Sequence, residues 1–312
     1  MTEPYTLLDA AYAAARWGWF LPALVVIGAA SYSPYFLLPI RRLDSAFARE
    51  LAKRAARLGI VASILLVLAA GIRLYIQSRT LLDPDEPASF EFIGVVLDTG
   101  WGRGWLWQAA MSLLALTAYI VAAAGVPFGW WLASAASVGI AFTAGLTGHA
   151  ATPKSGTGGL ILDGLHFAGG GVWLGGLAVM FLCGLSASRT LPSSARPTLV
   201  RALVANFSRR AIVAGPLTIA IGVWLAARYM GWTWPAHLLG SGYGRALGIK
   251  LIALAGVAGI GAYNWRIVQP ALDESATERH LRSSAALELL IGALLLAATA
   301  VLVALPLPSE GM

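Results

Sequence analysis

Residues 145–176 read GLTGHAATPKSGTGGLILDGLHFAGGGVWLGG. This stretch holds two of the four histidines in the chain, His149 and His166, with Asp163 between them. Apolar runs flank it, Trp130 to Thr147 before and Leu160 to Leu185 after. Such lengths suit membrane helices, which need about 20 apolar residues to cross a bilayer. The two imidazoles therefore belong at or just inside one membrane face, at a helix-to-helix corner. A polar set in that place points to a metal ion.

Composition supports the membrane reading. Hydrophobic residues make up 58% of 312 and charged residues 12%, with a mean hydropathy of +0.73. Soluble chains are about a quarter charged, so the expectation is an all-α, polytopic integral membrane protein, one membrane domain over 1–312. Eight spans are expected, at about 17–40, 59–77, 104–124, 128–147, 159–185, 211–227, 245–268 and 285–305. The net charge of +7 says little alone, since basic residues cluster on the cytoplasmic side of membrane proteins; nucleic acid is not an expected partner. The lone Cys183 excludes an intrachain disulfide and a thiolate metal cluster. The N-terminus has an early acid and no basic segment before its first apolar run, so it does not read as a cleaved signal peptide. No catalytic set and no phosphate-binding loop is read, so neither an enzyme nor a nucleotide-driven pump is expected.

Between the spans the chain changes character. Residues 41–59 carry six basic residues and two acids and read either as an interfacial helix or as an extension of the second span. Residues 78–102 form an acidic loop, 186–210 a basic loop, and 228–244 an aromatic-rich loop with Met230 and His237. The segments after the first, fifth and seventh spans hold six, five and three basic residues, fourteen of the twenty-two. By the positive-inside rule they face the cytoplasm. Both termini, the acidic loop, the histidine corner and the His237 loop then lie outside.

Asp163 and His166 are three residues apart and share a helix face. With a helix start near Gly159, His166 lies about 10 Å into the outer leaflet. Ionisable groups at such depth mark a site or pathway by default. Two imidazoles with a carboxylate or a third imidazole suit copper, zinc or nickel, and Asp163 can instead orient a ligating histidine from behind. The plainer readings are an interfacial His149 and an interhelical hydrogen-bonding His166. His237 is either solvated or a further ligand, and His280 stands apart on the cytoplasmic side. Glycines 169–171, 175 and 176 read as close helix packing. Met111, Met180 and Cys183 read as core, although soft sulfur also suits copper(I). Lys250 reads as a residue near the outer end of the seventh span that snorkels to the interface. Asn264 and Glu288 fall at matching depth on consecutive antiparallel spans, which predicts a hydrogen bond with a structural or gating role.

The order Gly148-His149-Ala150, Asp163-x-x-His166 and Trp173-x-Gly175-Gly176 resembles the bacterial copper resistance protein D (CopD) family. So do Tyr243-Gly244-Arg245 leading to Lys250, then Asn264, Pro270, Arg282-Ser283 and Glu288. The similarity covers about 139–306, and the first four spans match only in hydropathy and topology. It implies an inner-membrane protein of eight spans that handles periplasmic copper, Cu+ or Cu2+, and is credited with copper uptake. It supports His149 and His166 as metal residues more firmly than Asp163 or His237. Family members often work with, or are fused to, a small periplasmic copper-binding CopC domain. No such domain is read here, which leaves the donor open between a separate CopC-like carrier and another source. A haem-binding electron-transfer protein is the alternative from another class, since paired membrane histidines can ligate haem iron. A metal-sensing or assembly partner without transport is a third reading. Oligomeric state is not readable.

Overall fold

The computed structural model describes residues 7–82, 90–148, 156–272 and 275–305. The described residues form helices and no strand, and eight of the helices are long and apolar enough to cross a membrane. In chain order these are span 1 (Leu7–Ala30), span 2 (Ser45–Thr80), span 3 (Gly100–Ala123), span 4 (Phe128–Thr147), span 5 (Gly156–Thr190), span 6 (Arg196–Met230), span 7 (Gly242–Val268) and span 8 (Ser275–Ala304).

Several boundaries differ from the sequence reading, each for a local reason. Span 1 begins ten residues earlier than hydropathy suggests and stops at Ala30, not near residue 40. Arg16 does not mark its start, because the guanidinium is buried and hydrogen-bonded inside the bundle. After Ala30 the Ser31 hydroxyl turns back onto the Gly28 carbonyl at 2.6 Å, and a short helix, Leu38–Leu43, restarts with Pro39 in its first turn. The basic stretch after it extends span 2. Asp44 caps that helix, its carboxylate accepting from the amides of Ala46 at 2.8 Å and Phe47 at 2.9 Å. Most of the expected basic loop 186–210 is helix, since span 6 starts at Arg196. Within the acidic segment Phe90–Asp98 is helical; residues 83–89 lie outside the described set. Gly231 ends span 6 at φ +81°, a conformation glycine adopts without a Cβ clash.

The basic segments gather at one end of the bundle. Glu278 on span 8 takes Arg196 of span 6 and Arg282 of its own helix, each at 2.8 Å. Arg282 also donates to the Leu185 carbonyl, and Arg210 to that of Ser31. Between spans 1 and 2, burial pushes the Tyr32 phenol up to about 12 against the opposing charge of Arg210, whose guanidinium lies 4.6 Å from the ring centroid.

Span 1 is the axis of the molecule. In its apolar window 72% of residues are buried, against 17% for span 7, which leans mainly on span 8. In a membrane such packing relies on close fit more than on expelling water. Spans 1 and 5 show this directly: a Cβ on Gly175 would run into the Leu24 carbonyl, and one on Gly28 into the backbone of Gly175. The expected packing role thus fits Gly169, Gly171 and Gly175, whereas Gly170 faces open space and Gly176 has only ordinary contacts.

Candidate metal site at the histidine end

Span 5 carries Asp163 and His166 into the bundle. Starting at Gly156, it places His166 ten residues in, about 15 Å along the axis, deeper than the sequence suggested. Both side chains line a cavity of about 120 Å³ shared with Arg16, Tyr229, Tyr243 and Lys250. Lys250 is therefore not a snorkelling residue: it lies eight residues inside span 7, and with Arg16 it supplies the positive charge facing Asp163.

The His166 ring is held by span 6. Its Nδ1 lies 2.9 Å from the Thr218 carbonyl oxygen. A carbonyl only accepts, so Nδ1 carries the proton and donates, leaving Nε2 with a free lone pair. Histidines that bind metals are oriented in this way, the second ring nitrogen donating to a carbonyl or carboxylate. One turn beyond Thr218, span 6 presents Gly222. A Cβ there would come within 2.8 Å of His166 Cε1, so the glycine forms the notch in which the ring lies.

Span 4 approaches the same place through a cluster of buried polar groups. Arg73 and Arg16 are 1% and 3% exposed. Arg73 donates to Gln108 Oε1 at 2.7 Å and to Thr147 Oγ1 at 2.8 Å. Arg16 donates to the Thr147 carbonyl at 2.5 Å. Gln108 donates to the Thr143 carbonyl at 2.7 Å and to Thr147 Oγ1 at 3.1 Å. The Arg73 guanidinium also lies 5.4 Å from the Trp19 ring centroid, a favourable cation–π placement. The last turn of span 4, tightened to a 3₁₀ helix over Ala144–Thr147, is thereby clamped two residues before His149. Sequence reading missed Arg16, Arg73 and Gln108. The signal was present, since an ionisable residue inside an apolar span marks a function or a partner.

His149 itself lies outside the described residues. The backbone of His237 closes the short turn Trp234–His237, and its side chain also lies outside them. Among the described residues no group of three or more His, Cys, Asp or Glu converges on one point. The structure thus brings together Asp163 and His166 of the four candidate ligands.

At the basic end, Asn264 Nδ2 lies 3.3 Å from Glu288 Oε2, a long hydrogen bond between spans 7 and 8. His280 lies beside Tyr263, its Nε2 3.2 Å from the phenol oxygen.

Comparison with known proteins bears on both halves of the chain. A family model described as copper resistance protein D matches residues 201–302, and one described as copper resistance protein D-like, N-terminal domain, matches 7–160. The second match corrects the expectation that the first four spans share only hydropathy and topology with the family. Asp163 and His166 fall between the two matched regions. Copper transport protein CutJ of Bacillus subtilis (strain 168) is 28% identical over 271 residues, 84% of this chain and 48% of CutJ. The chain thus spans about half the length of that curated relative. No solved structure matches it.

Proposed function

Because the chain belongs to the copper resistance protein D family, we propose that it is a copper-handling protein of the bacterial inner membrane that takes up or delivers copper from the periplasmic side. The histidine end faces the periplasm, both termini lie on that side, and the arginine-rich end faces the cytoplasm. This orientation rests on the clustering of basic residues. His166 and His149 supply the main ligands. Asp163 assists as a ligand or by balancing charge, and His237 contributes at most a dispensable contact. A separate CopC-like carrier is a fitting donor.

The observation that carries this reading is the His166–Thr218 hydrogen bond at 2.9 Å. It prepares Nε2 as a metal ligand in a small, partly polar cavity. A haem is disfavoured there, because about 120 Å³ is well below the 300–1,000 Å³ typical of pockets for larger organic ligands.

Copper titration of the detergent-solubilised protein tests the proposal. His166→Ala and His149→Ala should each abolish high-affinity binding at the histidine site, while His237→Ala changes it little. Affinity should hold at neutral pH and fall on acidification, because protonated imidazole cannot ligate. Wild-type binding by both His166→Ala and His149→Ala would return these residues to a structural role.

A further inference from the structure

Three cavities with shared lining residues run along spans 5, 6, 7 and 8, span 1 also lining the outer two and span 4 the outermost. The outer one holds Asp163 and His166. A middle one of about 130 Å³ is mostly apolar and shares His166 and Lys250 with it. An inner one of about 270 Å³ shares Trp173 and Ile219 with the middle cavity, and Met180, Ser208, Asn264 and Glu288 lie on its walls. The Trp173 side chain therefore stands between the histidine cavity and the inner one.

Glu288 is 2% exposed. Its only hydrogen bond among the described residues is the 3.3 Å contact from Asn264 Nδ2. Asn264 is oriented for that contact from behind, its Oδ1 accepting from the Ser284 hydroxyl at 2.6 Å. No Lys, Arg or His among the described residues forms an ion pair with Glu288. An ionised carboxylate so placed costs several kcal/mol unless a cation or proton joins it. Gly261 faces Oε1, where even a Cβ would approach to 3.2 Å, so this side of the carboxylate meets no side chain from that position.

We propose that Glu288, Asn264 and Met180 form a second copper-binding station at the inner end of this series of cavities, beyond Trp173 from His166. A helix-to-helix hydrogen bond alone needs neither a cavity nor a thioether on the wall of that cavity. The donor set pairs the Glu288 carboxylate, which Asn264 positions, with a soft sulfur that favours copper(I). The cavity has room for an ion with water, a water occupying about 30 Å³. The station rests on the copper-handling reading but not on His166 being a ligand.

Copper(I) titration of the full chain in detergent, against a chromogenic copper(I) chelator, tests it by counting sites. Wild type should bind two copper ions, Glu288→Gln one, and Met180→Leu two with the inner site about tenfold weaker. Glu288→Gln keeps the size of the side chain and its contact with Asn264, and Met180→Leu provides a second variant should the first fold poorly. His166→Ala should retain the inner ion. One copper in wild type that His166→Ala removes and Glu288→Gln leaves would overturn the station and keep the proposed function. One copper that only Glu288→Gln removes would overturn the His166 site instead, and absence of copper binding would overturn both.

Discussion

Span 1 is enclosed by spans 2, 4, 5 and 8, whereas span 7 leans mainly on span 8 and faces span 6 across two cavities. The enclosed side puts its polar groups to structural use. Arg16, Arg73 and Gln108 spend their hydrogen bonds on Thr143 and Thr147, on Tyr12 and on one another. On the open side Asp163, His166, Lys250 and Glu288 line space that a ligand can enter. A membrane protein bears the cost of buried charge in both places. The difference lies in what the charge faces: Arg73 and Gln108 meet packed neighbours, Asp163, His166, Lys250 and Glu288 face cavities, and Arg16 does both. Under the proposed function, spans 1 to 4 act mainly as a scaffold, with Arg16 reaching the outer cavity, and the cavities along spans 5 to 8 are where the ion is handled.

The contrast breaks most sharply at Gly175. Gly175→Ala puts a methyl against the Leu24 carbonyl, where overpacking costs about 1–3 kcal/mol or more. The variant should lose most of its folded yield. Ala258→Val adds volume at the wall of the inner cavity and should shift stability by less than about 1 kcal/mol. Equal effects in size-exclusion yield and denaturant unfolding would remove the distinction between closed and open sides.

Arg73→Leu comes next. It removes donors at 2.7 and 2.8 Å and leaves Gln108 Oε1 buried without them, at a cost of about 2–4 kcal/mol. Unfolding in detergent should register that loss. An unchanged midpoint would show that the cluster does not hold span 4 in place.

Gly222→Ala sharpens the comparison from the open side. The new methyl meets His166 Cε1, turning the ring away from Thr218. Copper affinity should fall about tenfold, as is usual when a partner that orients a ligand is lost, with folding retained. A loss of folding with intact affinity would assign Gly222 to packing.

Most of the architecture was legible because eight apolar runs of membrane length cannot be hidden in a sequence. The errors arose where tertiary contacts overrode charge. Span 1 was expected to begin at about residue 17, and Arg16, just before it, is a buried donor to Thr147. The arginines of 196–210 looked like a loop and stand on a helix that runs on into span 6. The Asn264–Glu288 contact was legible because two polar residues at one depth on antiparallel helices have few other partners. The His166–Thr218 contact was not, since a backbone carbonyl leaves no mark in the residue code. Gly222 gave no signal either, because its role appears only once span 6 lies beside span 5.

The central claim is that His166 binds copper through the nitrogen left free by Thr218. X-ray absorption at the copper edge of the loaded protein reads the ligands directly. Wild type should show imidazole scattering from two histidines, reduced to one or lost with its copper in His166→Ala. Copper bound without imidazole scattering, or a spectrum unchanged in His166→Ala, would contradict the account.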